Sequence, residues 1–179
     1  MNKIAKELWD WVTTFAVVII IVVIVRAFFF ANYMVQGESM MPTIESGERL
    51  IINQIGYEIS EPDRDDLVVF HADEENDYIK RVIGTPGDDV RYEDNTLYVN
   101  GEPQEELYLD DDFNGEITED FTLEGLNLEP EVPEDHLFVL GDNRNNSLDS
   151  REIGYVSYEN VVGKANLRYW PLSEFTFIN

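Results

Sequence analysis

A run of twenty residues near the N-terminus, residues 12–31, contains one charged side chain, Arg26. An α-helix of this length rises about 30 Å, which is the thickness of the hydrocarbon core of a bilayer. A cleaved secretory signal is the alternative, but the run is longer than the apolar part of such a signal, and no small-x-small cleavage site follows it. Phe29 and Val25 stand two residues before the alanines at its end. The run therefore predicts an uncleaved transmembrane anchor.

Charge divides the chain at the end of this run. Residues 1–31 carry a net charge of +1, and the remaining 148 residues carry −26. Because Lys3 and Lys6 precede the run and acidic residues dominate after it, the positive-inside rule places the N-terminus in the cytoplasm. We therefore expect a single-pass protein of the cell membrane, with residues 1–31 as the cytoplasmic tip and transmembrane anchor and residues 32–179 as an extracytoplasmic domain. So acidic a surface repels phosphate backbones, which excludes nucleic acid as a partner.

Residues 32–179 have the pattern of a β-rich domain. Short apolar or alternating runs recur between turn signals, and no long run has helical periodicity. The predicted strands are residues 50–52, 67–70, 78–83, 96–99, 137–140 and 161–167, with tight turns at Asp94-Asn95 and Asn100-Gly101. Residues 102–135 contain 14 acidic side chains and no lysine or arginine, which indicates a solvated, loosely structured acidic insertion. The predicted fold class is mainly β.

The residue types that the sequence lacks exclude several kinds of catalytic and metal-binding site. Cysteine is absent, which excludes disulfides, thiolate metal sites and a cysteine nucleophile. The two histidines, His71 and His136, lie at the ends of predicted strands and in no motif, so a histidine-rich metal site is also excluded. We therefore expect neither a metal ion nor another cofactor.

Three polar features stand out. Ser39 follows a segment expected to be extended, residues 33–37, but a serine in a turn is by itself weak evidence of catalysis. Lys80 lies inside an apolar strand, although the domain has only one other lysine, Lys164. It is either an edge-strand lysine that prevents aggregation or a buried amine with a lowered pKa. Residues 141–151 form a loop dense in Asp, Asn, Ser and Arg, which is either a structural turn or a catalytic orienting element.

The amino-acid sequences of these segments resemble those of bacterial signal peptidase I, a membrane-anchored protease with a Ser/Lys pair. After the anchor come GESMMPT, YIKRVIGTPGD, LYVNG, VPEDHLFVLGDNRNNSLDSR and GKANLRYWP, in the order of that family. GDNRNNSLDSR is the most specific of them. The resemblance implies a catalytic domain of antiparallel β-sheets that removes signal peptides from exported preproteins. The single anchor and the short insertion are similar to the Gram-positive type.

Carried over by motif, the resemblance implies a role for each polar residue. Ser39 would be the nucleophile, Lys80 the general base, and Ser147 the residue that holds the Lys80 amine in place. The surrounding loop would be shaped by Asp142, Arg144, Asp149 and Arg151, together with Arg81. Some members of the family carry a serine two residues before the nucleophile as a second oxyanion donor. Here that residue is Gly37, so the oxyanion would depend on the Ser39 backbone N–H and on another backbone donor or a water.

The resemblance also implies a substrate. Signal peptides present small side chains at the third and first positions before the cut, and shallow apolar pockets suit them. The candidate walls are Tyr33, Val35, Met40, Ile44 and Ile79. A substrate strand is expected to pair with the backbone of residues 33–37 and 77–80. Apolar side chains after the anchor and near the C-terminus predict a rim that contacts membrane lipid. For the aromatic ones, a position in the core is the alternative. The side chains of this rim are Tyr33, Met34, Met40, Met41, Trp170, Phe175 and Phe177.

Other functions fit part of the sequence. A non-enzymatic, membrane-anchored acidic binding domain explains the anchor and the charge, but not a lysine in an apolar strand. A conjugation-type signal peptidase of the same superfamily would share the residues and differ in its substrate. A eukaryotic-type signal peptidase would have histidine where Lys80 stands.

Overall fold

The computed structural model describes residues 3–54, 61–109 and 118–178. Helix α1 spans Lys3–Phe29 and leads directly into strand β1, Phe30–Met34. The described large apolar side chains of α1 are all exposed, by 50 to 64% of their surface. Within the described ranges, no helix is long and apolar enough to cross a membrane. The predicted helix is therefore present, and the membrane crossing stays a prediction.

Eight strands form the larger sheet, in which every pair is antiparallel. After β1 they are β2 Arg49–Asn53, β3 Leu67–His71, β4 Asp77–Gly84, β9 His136–Leu140, β10 Val156–Ser157, β11 Val161–Trp170 and β12 Thr176–Phe177. Their order is β1–β2–β11–β3–β4–β9–β10, and β12 pairs with β11. Strands β3 and β9 are buried along almost their whole length, as their uninterrupted apolar sequence requires. Five of the six predicted strands lie in this sheet.

A smaller sheet holds the sixth predicted strand. It consists of β5 Val90–Glu93, β6 Thr96–Val99, β7 Glu102–Gln104 and β8 Phe121–Thr122, in the order β7–β6–β5–β8. Two tight turns connect β5 to β6 and β6 to β7. All four of their central residues have positive φ, namely Asp94 at 48°, Asn95 at 60°, Asn100 at 54° and Gly101 at 80°. The predicted turns are therefore confirmed.

The expectation of a loosely structured segment at residues 102–135 is wrong for its described parts. Strands β7 and β8 belong to the smaller sheet, and Phe121, Leu123 and Val132 are buried in its core. Carboxylates outnumber these apolar side chains in the segment, so its net charge gives no indication that the apolar ones are buried and stabilise the fold. Residues 110–117, which belong to the predicted insertion, lie outside the described residues.

The larger sheet has two free strand edges that border a gap. In the described part of the chain, β1 pairs only with β2. Strand β4 pairs with β3 along residues 77–81, but β9 pairs only with residues 81–84, so residues 77–80 have one unpaired edge. Apolar side chains from both borders, among them Val35 and Ile79, pack on the same core cluster. The gap is therefore floored by apolar residues and flanked by unpaired backbone.

Candidate active site

Ser39 lies in a turn that follows β1 and is joined to a second segment. Backbone pairing continues just past the strand, because the Val35 N–H donates to the Glu48 carbonyl at 2.9 Å. Gly37 then has a φ of +95°, a conformation that side chains disfavour, and the chain turns. The Ser39 carbonyl accepts a hydrogen bond from the Asn143 N–H at 3.0 Å. The loop after β9 therefore fixes the position of the serine.

Lys80 lies on β4, beside the free edge, and 3% of its surface is exposed. Its Nζ is 2.7 Å from Ser39 Oγ and 3.0 Å from the Ile79 carbonyl oxygen. Burial lowers the pKa of Lys80 from 10.5 to about 8, although the charges of Asp149 and Asp142 act to raise it. Of the two interpretations of Lys80, the geometry supports the buried amine.

Arg81 and Asp142 form a buried ion pair next to Lys80. Arg81 Nε and Nη2 donate to the two carboxylate oxygens of Asp142 at 2.9 and 2.7 Å, and each side chain is at most 1% exposed. The Thr43 hydroxyl donates to the same carboxylate at 2.5 Å. This carboxylate therefore links β4 to the segment after Ser39 and to the loop after β9.

Asp149 and Arg151 form a second pair in that loop. Arg151 Nε and Nη2 donate to Asp149 at 2.9 and 2.8 Å, and the Gly141 N–H donates at 3.0 Å. Burial acts to raise the pKa of Asp149, but the hydrogen bonds and charge of Arg151 outweigh it and hold this pKa below 3.8. Asp149 is therefore an anion whose charge is matched by its own arginine. It also caps the short helix α2, Ser150–Ile153, by accepting from the Arg151 N–H.

Ser147 reaches the site but does not hold the Lys80 amine. Its hydroxyl is buried and acts on the Asp149 carboxylate, whose pKa it helps to lower, whereas the amine bonds to Ser39 and Ile79. A Cβ at Gly141 would lie 2.2 Å from Ser147 Oγ and 2.5 Å from the Ser39 carbonyl oxygen. The glycine thus makes room for both serines. The implied hydrogen bond between Ser147 and Lys80 is not formed in this structure, and the role of Ser147 stays a prediction.

Arg144 has a partner that the sequence analysis missed. Its Nε donates to the Gly141 carbonyl at 3.0 Å, and its Nη2 donates to Glu106. The Glu106 carboxylate also accepts from the hydroxyls of Tyr92 and Tyr108, each at 3.0 Å. Burial acts to lower the pKa of Arg144, but Glu106 outweighs it and raises this pKa. One carboxylate among the 14 of its segment carries no sequence signal of its own, so only the fold reveals this contact.

A cleft of about 400 Å³ occupies the gap between β1 and β4 and includes Ser39 and Lys80. Four of the five predicted wall residues line it, namely Tyr33, Val35, Met40 and Ile79. The prediction is wrong for Ile44, which is fully buried in the core beneath. The lining residues that the sequence analysis missed include Leu50, Val69 and Leu148. They come from separate strands and loops that only the tertiary structure brings together.

The side chains predicted to form a membrane rim divide into three groups by their exposure. Met40 is 1% exposed and packs in the core, so the prediction is wrong for this residue. Tyr33 and Met41 are half-buried. Four others are exposed by 48 to 74%, namely Met34, Trp170, Phe175 and Phe177. An exposed apolar group therefore exists at the β1 and C-terminal side of the sheet.

The two histidines have partners other than Ser39. His71 Nδ1 lies 2.5 Å from an oxygen of Asp77, and His136 Nδ1 lies 2.8 Å from the Glu134 carbonyl oxygen. No group of three His, Asp or Glu side chains within the described ranges is arranged to hold a metal ion. The arrangement therefore suits attack by a serine hydroxyl whose proton passes to a neutral amine.

Known proteins resemble this chain along nearly its whole length. The family model described as signal peptidase, peptidase S26, matches residues 8–170. Signal peptidase I of Bacillus caldolyticus is 46% identical over 173 residues, which cover 94% of this chain and 93% of that protein. Signal peptidase IB of Staphylococcus aureus strain MRSA252 is 43% identical over 180 residues, covering 96% and 94%. A crystal structure of a signal peptidase I from Enterococcus faecalis is 40% identical with a TM-score of 0.54, covering 59% of this chain and 97% of that one.

Proposed function

The chain belongs to the signal peptidase family, peptidase S26, and we propose that it uses Ser39 as its nucleophile and Lys80 as its general base. Its activity is that of a serine endopeptidase that removes N-terminal signal peptides from preproteins. The observation that carries the residue assignment is the 2.7 Å contact between Lys80 Nζ and Ser39 Oγ.

The reaction proceeds in two stages that use the same pair. In the first, neutral Lys80 accepts the hydroxyl proton of Ser39 while Oγ attacks the scissile carbonyl carbon. The tetrahedral intermediate collapses as the Lys80 ammonium gives that proton to the leaving amine, which frees the mature protein and leaves the signal peptide as an ester on Ser39. In the second, Lys80 takes a proton from a water that attacks the ester, and the proton returns to Ser39 Oγ as the signal peptide leaves.

Burial prepares Lys80 for this role. With a pKa of about 8, about a tenth of the molecules hold a neutral amine at pH 7, against fewer than about one in a thousand for an ordinary lysine. Asp142 and Asp149 do not prevent this loss of charge, because each is bonded to an arginine, Arg81 and Arg151 respectively. The proposed role of these ion pairs, with Arg144, is to position the serine segment and to balance charge around the amine.

The oxyanion depends, in this proposal, on the Ser39 backbone N–H and on another backbone donor or a water. Gly37 is exposed and offers no hydroxyl at the position where some family members have one. We assign the first donor to the Ser39 N–H, since it belongs to the same residue as the attacking Oγ.

The cleft fits an extended peptide with small side chains. Among the residues that the structure describes, residues 77–80 and β1 each have an unpaired edge, so a substrate strand can pair with backbone on both sides. The floor between them is apolar, and it includes Val35, Leu50 and Val69. Small apolar side chains before the cut would rest on this floor while the scissile carbonyl lies beside Ser39.

A membrane location is supported by two groups of apolar side chains. Those of α1 that the structure describes are exposed along the helix, and the apolar run of the sequence continues past them to residue 31. We propose that residues 1–31 anchor the protein in the cell membrane with the N-terminus in the cytoplasm, and that residues 32–179 act outside it. Exposed Met34, Trp170 and Phe177 would contact lipid near the anchor and bring the cleft to substrates that emerge at the bilayer surface.

Cleavage of a preprotein by the full-length protein in detergent micelles tests the residue assignment. N-terminal sequencing of the product identifies the bond that is cut. Ser39→Ala and Lys80→Ala should each abolish cleavage, and the double variant should be little worse than either single variant, because the two residues act as a unit. Lys164→Ala, at the other lysine of the domain, is the matched control and should retain activity. Substantial cleavage by Lys80→Ala would overturn the assignment of the base.

A further inference from the structure

An aromatic ring from the acidic segment covers the arginine that follows Lys80. The centroid of the Tyr108 ring lies 3.8 Å from the guanidinium carbon of Arg81. Tyr108 is half-buried, whereas Arg81 is 1% exposed, so the ring shields the guanidinium from water on this side. Tyr108 does not line the substrate cleft, and it lies 28 residues after Lys80 in the sequence.

Glu106 anchors this ring. One oxygen of its carboxylate accepts from the Tyr108 hydroxyl at 3.0 Å, and the other accepts from the Tyr92 hydroxyl at 3.0 Å. Arg144 also donates to this carboxylate. Because Tyr92 is buried in the core of the smaller sheet, the carboxylate joins Tyr108 to a fixed element. The ring is therefore held over the guanidinium of Arg81.

Two opposing effects decide the protonation of the Lys80 amine. Burial, the larger of them, lowers its pKa to about 8, and the charges of Asp149 and Asp142 oppose this effect. The ring of Tyr78, whose centroid lies 5.3 Å from Nζ, also favours the ammonium form. Any loss of the charge that balances one of these carboxylates therefore favours the protonated lysine.

The balance at Asp142 depends on the arginine that Tyr108 covers. Arg81 binds both carboxylate oxygens of Asp142. An ion pair is strong where water is excluded and weak where water reaches it. If the ring were removed, water would reach the pair, and Arg81 would balance the charge of Asp142 less well. The same water would solvate the nearby ammonium, so both changes would favour protonated Lys80.

We propose that Tyr108 is a positioning residue for the reaction, whose ring keeps the Arg81–Asp142 pair closed and shielded from water, so that Asp142 does not hold the proton on Lys80. The inference rests on the proposed function, since it takes Lys80 as the base. Tyr108 acts through Arg81 and Asp142 and does not contact the reacting atoms. The acidic segment thereby supports the catalytic site from the smaller sheet.

The pH dependence of kcat/KM for one preprotein, cleaved by the full-length protein in micelles, tests this inference. The measured quantity is the pH at the midpoint of the rising limb. In Tyr108→Ala this midpoint should lie about 1 pH unit higher than in the wild-type protein, the smaller end of the effect of a nearby charge. At pH 7 kcat/KM should then fall about tenfold. At pH 10 Lys80 is neutral in most molecules of both proteins, so the rates should be similar.

Three further variants identify the ring as the cause. Tyr108→Leu fills much of the space without a flat face over the guanidinium, so its midpoint should rise by a smaller amount; it decides the test if Tyr108→Ala does not fold. Tyr108→Phe keeps the ring and loses only its anchor, so its midpoint should lie closest to that of the wild-type protein. Tyr98→Ala is the matched control, because it removes a ring 4.4 Å from the guanidinium of Arg91 in the smaller sheet. Its midpoint should be unchanged.

The outcomes separate this inference from the assignment of the base. Midpoints of Tyr108→Ala and Tyr108→Leu equal to that of the wild-type protein would overturn the inference, while a wild-type midpoint near pH 8 upholds Lys80 as the base. A loss of kcat/KM in Tyr108→Ala and Tyr108→Leu that is the same at pH 7 and pH 10 would also overturn it, because this result indicates structural damage alone. A wild-type profile with no rising limb near pH 8 would overturn both.

Discussion

Replacing Lys80 by methionine should stabilise the fold while it abolishes cleavage. The Lys80 side chain is 3% exposed, and the nearby carboxylates of Asp142 and Asp149 are bonded to arginines. The surrounding protein therefore replaces only a small part of the hydration that the Lys80 ammonium loses on burial. Methionine has a similar length and no charge, so it fills the same space without this cost.

The magnitude follows from the pKa of Lys80, which burial lowers from 10.5 to about 8. At pH 7 a difference in pKa of this size lowers the free energy of unfolding by about 3 kcal/mol. Methionine also loses the hydrogen bonds of the amine to the Ser39 hydroxyl and to the Ile79 carbonyl, each with a net value of about 1 kcal/mol. The variant should therefore be about 1 kcal/mol more stable than the wild-type protein at pH 7.

The stabilisation should depend on pH in a defined direction. Below pH 8 the lysine is protonated in both the folded and the unfolded protein, and the full cost is present. Between pH 8 and 10.5 the folded protein loses the proton first, so the unfolded chain binds more protons and the wild-type stability rises with pH. At pH 10 the remaining cost is about 1 kcal/mol, which the two lost hydrogen bonds outweigh, so the variant should there be about 1 kcal/mol less stable than the wild-type protein.

Denaturant unfolding in one detergent, at pH 7 and at pH 10, measures both quantities. Because the wild-type protein and Lys80→Met are compared at each pH, the titration of other groups cancels. Lys164→Met is the matched control. It leaves Asp66 without its lysine partner and should destabilise the protein at pH 7. A lower stability of Lys80→Met than of the wild-type protein at pH 7, or the same difference at both pH values, would refute the reasoning.

Three further outcomes are expected. Glu106→Ala should cost about 3 to 5 kcal/mol of unfolding free energy in a denaturant titration, because it leaves the buried guanidinium of Arg144 unpaired; a loss below about 1 kcal/mol, the value of an exposed pair, would contradict this. Gly141→Ala should lower kcat by roughly tenfold or more, as expected when a reactive group is misplaced, because the new Cβ overlaps Ser147 Oγ and the Ser39 carbonyl oxygen. An unchanged kcat in the preprotein assay would argue against a rigid loop. A chelator such as EDTA should leave the rate of preprotein cleavage unchanged, and a loss that added divalent ions restore would contradict the metal-free mechanism.

The strands of this protein are largely predictable from its sequence, because short apolar runs bounded by turn residues leave few alternatives. The turn at Asn100-Gly101 adopts positive φ at both residues, as this pair of residue types favours. Strand β8 was not predictable in the same way, because its two residues stand in a segment dominated by carboxylates. Its burial is decided by packing against strand β5, which lies far away in the sequence.

The residues of the candidate site are likewise predictable from the sequence only in part. The sequence singles out Ser39 and Lys80 as candidates, because one belongs to a recognisable motif and the other is an unusual residue in an apolar strand. Ile44 was assigned to the cleft wrongly, since sequence spacing does not tell a floor residue from one packed beneath the floor. Glu106 was missed because its role depends on a contact that links distant segments. Side-chain pairing across a gap leaves no periodic pattern in the sequence.

The central claim, that a desolvated Lys80 activates Ser39, is tested most directly by the pH dependence of kcat/KM for preprotein cleavage. The full-length protein in micelles is assayed from pH 5 to pH 10 with one preprotein. Since the base acts only when neutral and its pKa is about 8, kcat/KM should rise about tenfold between pH 7 and pH 9 and then level off. A rising limb centred near pH 5 to 6, or a flat profile across pH 7 to 9, would contradict the account.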